Sequence, residues 1–252
     1  MIKTKTCNIV GIGNFTIPEN EPNHVWSEWE LPTKEYILKN IKKGEGESGG
    51  GHFIDVGANI GYFSVWASTK AEKVYSIEPN PDVYILLERN SKLGRNIDGS
   101  NNIKTFNMAL SDVRKIGKIY YRNFAGGDGR LYDPRDGNDH MTRGVVIDTL
   151  SGFQEIYCSG HGIDMIKMDC EGSEHEILKD LDFFKKEKNK NCEVVLELHG
   201  PMIQERGLDF NKFLEYLLLN FDIKDLFGNV LSNVGNIQPR GFVSLKYKGR
   251  LG

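Results

Sequence analysis

The sequence predicts an α/β fold in which a mostly parallel sheet carries helices on both faces. Two observations support it. Apolar, strand-like runs alternate with helix-period segments along most of the chain. The first strong strand, in Phe53-Ile-Asp-Val-Gly-Ala-Asn-Ile-Gly-Tyr-Phe-Ser64, runs directly into a glycine turn and a helix.

In chain order, residues 1–45 read as an irregular lead-in broken by Pro18, Pro22 and Pro32, then an amphipathic helix around Tyr36, Ile37, Leu38 and Ile41. Val10-Gly-Ile-Gly13 resembles the start of a glycine fingerprint. No third glycine follows and Pro18 interrupts any helix, so it reads as a turn between short strands. Gly44-Glu-Gly-Glu-Ser-Gly-Gly-Gly51 is a flexible connection. Strands are expected at 52–56, 73–78, 103–107, 163–169 and 193–199, with helices near 61–70, 81–93, 173–185 and 208–220. Lys115–Tyr121 and Gly144–Asp148 read as extra strands around a Gly-, Asp- and Arg-rich loop at 123–143. A loop of that length without structure is either functional or disordered. Strands near 221–226 and 241–248, joined by a turn-rich segment, place an antiparallel strand at the end of the sheet. The expected organisation is a front segment, 1–45, and a main domain, 46–252.

At 252 residues a single domain with a short appendage is the default. A net charge of −3 with 27% charged residues leaves no nucleic-acid or membrane footprint. No apolar run approaches the ~20 residues of a spanning helix, and the first residues lack a signal-peptide core. Cys7, Cys158, Cys170 and Cys192 are scattered, as free thiols in a reducing compartment would be. The expectation is a cytoplasmic protein without a nucleic-acid or membrane partner.

The glycine turn reads Asp55-x-Gly57-x-x-x-Gly61, short of the three glycines of a dinucleotide fingerprint. A carboxylate at the strand end repels a pyrophosphate but suits a cationic, phosphate-free ligand such as S-adenosylmethionine. Gly57 would then admit the ligand, and Gly61 would allow tight packing where the helix begins. The next strand ends in Glu78, ~20 residues on, where a ribose diol is expected. Pro79-Asn80-Pro81 follows, and Asn80 is counted with the cofactor contacts. The alternative is that Asp55 and Glu78 merely cap the helices that follow.

Taken in order, DVGANIGYFS, SIEPNP, FNMALSD, IDTL, IDMIKMDCEGSEHEIL and VVLELHGP resemble the FkbM family of SAM-dependent methyltransferases over about residues 53–200. The resemblance implies a class I methyltransferase, Rossmann-like fold: a seven-stranded, mostly parallel sheet whose last strand is antiparallel. It implies methyl transfer from SAM to a hydroxyl of a sugar or secondary-metabolite acceptor, with a small molecule or glycan as partner. Carried over, Asp55, Gly57, Asn59 and Gly61 face the methionine end of SAM, and Glu78 holds the ribose. Ala109, Leu110 and Asp112 border the adenine. Asp112 is equally readable as a turn residue before a basic strand. Trp29-Glu30 corresponds to an aromatic-acid pair in the family's front segment.

An aliphatic hydroxyl is a weak nucleophile, so a nearby base helps. Lys167, Asp169 and Glu171 share one strand face at a carboxyl-terminal end, where open α/β sheets bind ligands. Asp169 is the candidate base with Lys167 orienting it; the alternative is a buried structural ion pair. Ser173 and Glu176 have capping-box spacing, Glu174 suits a helix N-terminus, and His175 reads as a surface residue. Glu197 and His199 end the fifth strand on one face. With Asp169 they suit a divalent ion chemically, but two residues on one strand rarely hold one, so no metal is expected. His199 would then meet the acceptor, act as a second base, or cap Gly200-Pro201. Trp26, Trp29, Tyr120, Tyr121 and Tyr132 are candidates for stacking on the acceptor, and Arg130, Arg135 and Arg143 for gripping an anionic group. An NAD-linked oxidoreductase and a non-catalytic SAM-binding module are the competing functions.

Overall fold

The computed structural model describes residues 3–22, 30–41, 51–94, 100–122, 129–134 and 139–249. Trp26, Trp29, Arg135 and most of the 44–51 connection lie outside them.

Seven strands form the central sheet: β3 (His52–Val56), β4 (Lys73–Ile77), β5 (Ile103–Phe106), β9 (Met165–Met168), β10 (Glu193–His199), β11 (Phe221–Asp225) and β12 (Arg240–Tyr247). Their order is β11-β12-β10-β9-β3-β4-β5. β10, β9, β3, β4 and β5 pair in parallel, and β12 is antiparallel to both its neighbours. The last strand is therefore antiparallel, as expected. It is wedged between β10 and β11, however, and does not lie at the sheet's edge. The turn-rich segment between β11 and β12 lets the chain double back on β11 and pair inward.

The strands expected at 52–56 and 193–199 form with those bounds, because both are continuous apolar runs buried on both faces. Alternation separates two cores. Ile54, Val56, Ile166, Met168, Val194 and Leu196 face one. Phe53, Val74, Met165 and Val195 face the other, with Tyr62, Phe63 and Val65 of α2 (Tyr62–Ser68). By the same parity, Asp55, Lys167, Glu197 and His199 belong to the second face.

Helices expected near 61–70, 81–93 and 208–220 are α2, α3 (Pro81–Asn90) and α8 (Phe210–Asn220). Asn80 caps α3 by accepting from the Asp82 N–H, with Pro81 opening the helix. The single helix expected at 173–185 is two short ones, α5 (Glu174–Ile177) and α6 (Leu181–Lys185), because Asp180 caps a second start. Two further helices, α4 (Leu150–Tyr157) and α7 (Gly200–Glu205), were not foreseen.

The front segment is more ordered than its prolines suggest. β1 (Thr4–Ile9) and β2 (Gly13–Pro18) form an antiparallel hairpin around the Val10–Gly13 turn. Phe15, Ile17 and Ile9 of the hairpin, and Ile37 of α1 (Leu31–Asn40), pack into the second core. Asn90 ties the hairpin to the glycine turn: it accepts from Thr16 N–H at 2.7 Å and donates to Thr16 O and Ile60 O at 2.9 and 2.8 Å. A three-stranded sheet of β6 (Ala109–Leu110), β8 (Met141–Asp148) and β7 (Lys115–Tyr121) stands apart from the main one.

Asn90→Ala removes those three bonds and leaves buried backbone groups without partners. It should cost about 3 kcal/mol in urea denaturation, with the folded far-UV spectrum retained.

Candidate active site

A cavity opens at the carboxyl ends of β3, β4 and β9. Gly57, Asn59, Glu78, Ala109 and Leu110 line it together with Asp169 and Glu171. Of the residues expected from sequence, those seven are brought together in its lining. Cys170, Ser173, Gly129 and Leu131 also line it and were not foreseen. The first two carry no pattern that marks them. The other two reach the cavity because Arg130 exchanges backbone hydrogen bonds of 2.9 and 2.8 Å with Tyr120 on β7, a pairing no local pattern reveals.

The glycine turn is held from within. The Gly57 and Ala58 N–H groups both donate to Ile77 O, at 3.0 and 2.9 Å, and the Gly61 N–H to Ala58 O at 2.8 Å. Asn59, in the left-handed region at φ 50°, donates its N–H to Glu78 at 2.9 Å. These are the donors a phosphate would need. Gly57 is required by a close approach between two strand ends: at φ +76°, a Cβ there would stand 1.7 Å from the Asp169 backbone oxygen. It also lines the cavity. At Gly61 a Cβ would press on Leu87 of α3, the tight packing expected there.

Glu78 accepts from the Asn59 and Asn80 N–H groups, and burial pushes its pKa up to about 7 against those two bonds. Asn80 is buried behind the wall as the cap of α3. Asp55 does not line the cavity among the described residues. It is fully buried, accepts from Ser64 Oγ at 2.5 Å, and burial raises its pKa against the pull of Lys167. Asp112 is also elsewhere: it lies in a separate polar groove, 3.7 Å from Lys179. The chain turns outward after β6, which carries Asp112 past the cavity.

Beside Asp169 and Glu171 lies a charged cluster. The Lys167 ammonium is 2.9 Å from Asp169 Oδ2 and 4.8 Å above the Phe63 ring. Burial alone would lower the Lys167 pKa, but Asp169, Asp55 and Glu30 outweigh it and raise it. Burial would raise Asp169, yet Lys167 and His199 hold it below its ordinary value. Burial and the Asp169 charge push Glu197 up to about 8.

His199 sits among carboxyl groups. Its Nδ1 is 2.7 Å from Glu174 Oε1. Its Nε2 is 3.6 Å from Asp169, 3.7 Å from Glu197 and 3.9 Å from Glu171. Burial opposes its charge, but Glu174, Asp169 and Glu171 raise its pKa to about 9. Glu174 also accepts from the Cys170 and Gly172 N–H groups. The expected capping box does not form: the Ser173 hydroxyl makes no cap bond, because Glu174 already serves that turn. His175 is half-buried against Gly172 O and the Phe213 ring, so it is not a surface residue. Glu30, from the front segment, reaches the same cluster; burial pushes it up to about 7 and Lys167 opposes the rise.

The acceptor candidates divide. Tyr121 is core, its hydroxyl donating to Asp82 at 2.9 Å. Arg130 pairs with Glu205 at 2.8 Å and, with Arg206, lies against the Tyr132 ring. Its neighbours Gly129 and Leu131 form the cavity's roof, and Arg130 is not a free anion grip. Arg143 is exposed and bonds to Thr142 O.

A family model described as the methyltransferase FkbM domain matches residues 55–226. The methyltransferase sdnD of Sordaria araneosa is 28% identical over 196 residues, 63% of this chain and 74% of that protein. Among solved structures, methyltransferase FkbM from Methylobacillus flagellatus KT is similar at TM-score 0.48 and 15% identity, covering 85% of this chain and 50% of that one. This chain thus spans half the length of that solved protein. SMU.1697c from Streptococcus mutans, in complex with SAH, is similar at TM-score 0.47 and 9% identity, over 85% of this chain and 95% of that one. No helix among the described residues is long and apolar enough to cross a membrane.

Gly57→Ala should destabilise the protein by about 3 kcal/mol or more, read by chemical denaturation, since both the backbone angle and the Asp169 carbonyl oppose it.

Proposed function

The chain belongs to the FkbM methyltransferase family, and from that premise we propose that it transfers a methyl group from S-adenosylmethionine to a hydroxyl of a sugar-like or secondary-metabolite acceptor. The observation that carries this reading is the single cavity with two unlike walls. One wall, Glu78 with Ala109 and Leu110, suits a ribose and an adenine. The other, Asp169 and Glu171, suits a polar acceptor. Both stand where open α/β sheets bind ligands.

The cofactor is assigned by charge and by donors. The Gly57, Ala58, Asn59 and Gly61 N–H groups are already used, which takes most of the turn's donors from a pyrophosphate. The carboxyl groups that surround the cavity favour a sulfonium and an ammonium over a phosphate. This disfavours the NAD-linked alternative on the same grounds as the missing third glycine. Glu78 would accept from the ribose hydroxyls with lone pairs left over from Asn59 and Asn80.

For catalysis, the reaction is an in-line displacement. The acceptor oxygen forms a bond to the methyl carbon, and the carbon–sulfur bond breaks to release S-adenosylhomocysteine. Holding the two in line supplies a large share of the acceleration, up to about 7–11 kcal/mol in ideal cases. Asp169, kept ionised by Lys167, receives the hydroxyl hydrogen of the acceptor. Glu197 and His199 shape the same end of the cluster.

Two outcomes are expected. Asp169→Asn should abolish methyl release in an assay over hydroxylated metabolites while calorimetry with S-adenosylhomocysteine still shows binding; full turnover in that variant removes Asp169 from the mechanism. Glu78, raised to about 7, must be ionised to accept from both ribose hydroxyls. S-adenosylhomocysteine affinity should therefore be full above pH 7 and fall as pH drops through it, by about tenfold per unit at the limit for one proton. Glu78→Gln should weaken binding and flatten that dependence.

A further inference from the structure

We propose that the ends of β9 and β10 bind one divalent first-row metal ion, of the Mn²⁺ type, through His199 Nε2, Asp169 Oδ1 and Glu171. One ligand atom from each of these residues lies within 4.8 Å of the others. Nε2 stands 3.6 Å from Asp169 Oδ1 and 3.9 Å from Glu171 Oε2. Atoms bound at about 2.1 Å to an octahedral ion are separated by about 3.0 Å when adjacent and about 4.2 Å when opposite. The set therefore matches an ion after small side-chain movements.

The imidazole is set up as a ligand. Its Nδ1 is engaged by Glu174, which is itself 1% exposed. Metal-bound histidines commonly give the second ring nitrogen to a carboxylate in this way, which orients the ring and raises its basicity. Nε2 makes no hydrogen bond, although His199 is only 8% exposed, and it points among oxygens of Asp169, Glu171 and Glu197. Lys167 occupies Asp169 Oδ2 and leaves Oδ1 turned to the histidine. Glu197 Oε1 lies 3.7 Å from Nε2 but outside the set of three.

The donor chemistry selects the ion class. Carboxylates alone suit Mg²⁺ or Ca²⁺, and imidazole favours later metals; the mixture suits Mn²⁺. Asp169 and Glu171 line the cavity, so the ion's open positions face the space assigned to the acceptor. The role of the ion rests on the methyl-transfer reading, which it deepens: the ion would polarise the acceptor hydroxyl, and Asp169 Oδ2, beside Lys167, would still receive its proton. The binding of the ion does not rest on it.

The test uses the full chain, stripped with a chelator and titrated with Mn²⁺ without cofactor, free Mn²⁺ being read by electron paramagnetic resonance. One ion per chain is expected. Glu171→Gln and His199→Gln should each weaken it by about tenfold or more, and Asp112→Asn, in its separate groove, should not. No uptake from millimolar Mn²⁺, or uptake that Glu171→Gln leaves unchanged, overturns the proposal; in that case the space about Nε2 holds only a proton. Circular dichroism checks each variant, and if His199→Gln does not fold, Glu171→Gln decides. Calorimetry with S-adenosylhomocysteine on the same preparations tests the cofactor reading separately, so a chain that binds Mn²⁺ but not the nucleoside keeps the ion site and loses the methyl-transfer role.

Discussion

The buried ammonium of Lys167 is the constraint around which this end of the molecule is arranged. An ammonium in a central strand, 2% exposed, costs several kcal/mol unless carboxylates surround it. Three elements meet that demand. β9 supplies Asp169, two residues on. The parallel register of β3 with β9 sets Asp55 directly beside Lys167. The front segment brings in Glu30. A slip of one residue in either strand would turn a charged group toward the opposite, apolar core, where Ile54, Ile166 and Met168 pack. The ion pair thus fixes register as well as charge, and it explains why the front segment must close on this face.

The same arrangement overshoots neutrality. Lys167 and His199 stand among Asp55, Asp169, Glu30, Glu171, Glu174 and Glu197, which is more carboxyl than cation. The strain shows in Glu30 and Glu171, which burial raises to about 7, and in Glu197, raised to about 8. Groups held near neutrality in this way are poised to ionise fully once positive charge arrives. A site with that deficit discriminates by sign before any shape is considered. The glycine turn adds the complementary exclusion, since its Gly57, Ala58 and Asn59 N–H groups are satisfied by Ile77 O and Glu78.

Much of the sheet was legible in the sequence because central parallel strands are short apolar runs with sharp ends, as in His52–Val56 and Glu193–His199. The second-face charges were legible for the same reason: alternation alone puts Lys167 with Asp169, and Glu197 with His199. What escaped notice depends on contacts distant in the chain. The β1–β2 hairpin is not among these: Val10–Gly13 read as a turn between short strands, and Pro18 ends β2 and does not break it. Thr149 before Leu150, Phe153 and Tyr157 is a cap followed by helical spacing, so α4 did carry a signal. No pattern ties Glu174 to His199, 25 positions away. Gly57 was singled out, but the part the Asp169 carbonyl plays in requiring it, more than a hundred residues on, was not legible. Asp112 shows the converse, a plausible motif neighbour carried off by the direction of the chain after Leu110.

The roof and the carboxylate wall of the cavity share one anchor. Tyr132 lies between Arg130 and Arg206. Arg206 in turn donates to Gly172 O at 2.9 Å and to Glu176. Gly172 follows Glu171, which is held in the left-handed region at φ 52°. The roof is therefore braced on the very turn that aims Glu171 into the cavity. Ring stacking of guanidinium groups is directional but tolerant of small sliding, whereas the backbone bond to Gly172 is not. Changes at Leu131 can alter the roof while Arg206 keeps the Glu171 turn in place. Changes at Arg206 would disturb both at once, so the roof and the Glu171 turn are coupled through one side chain.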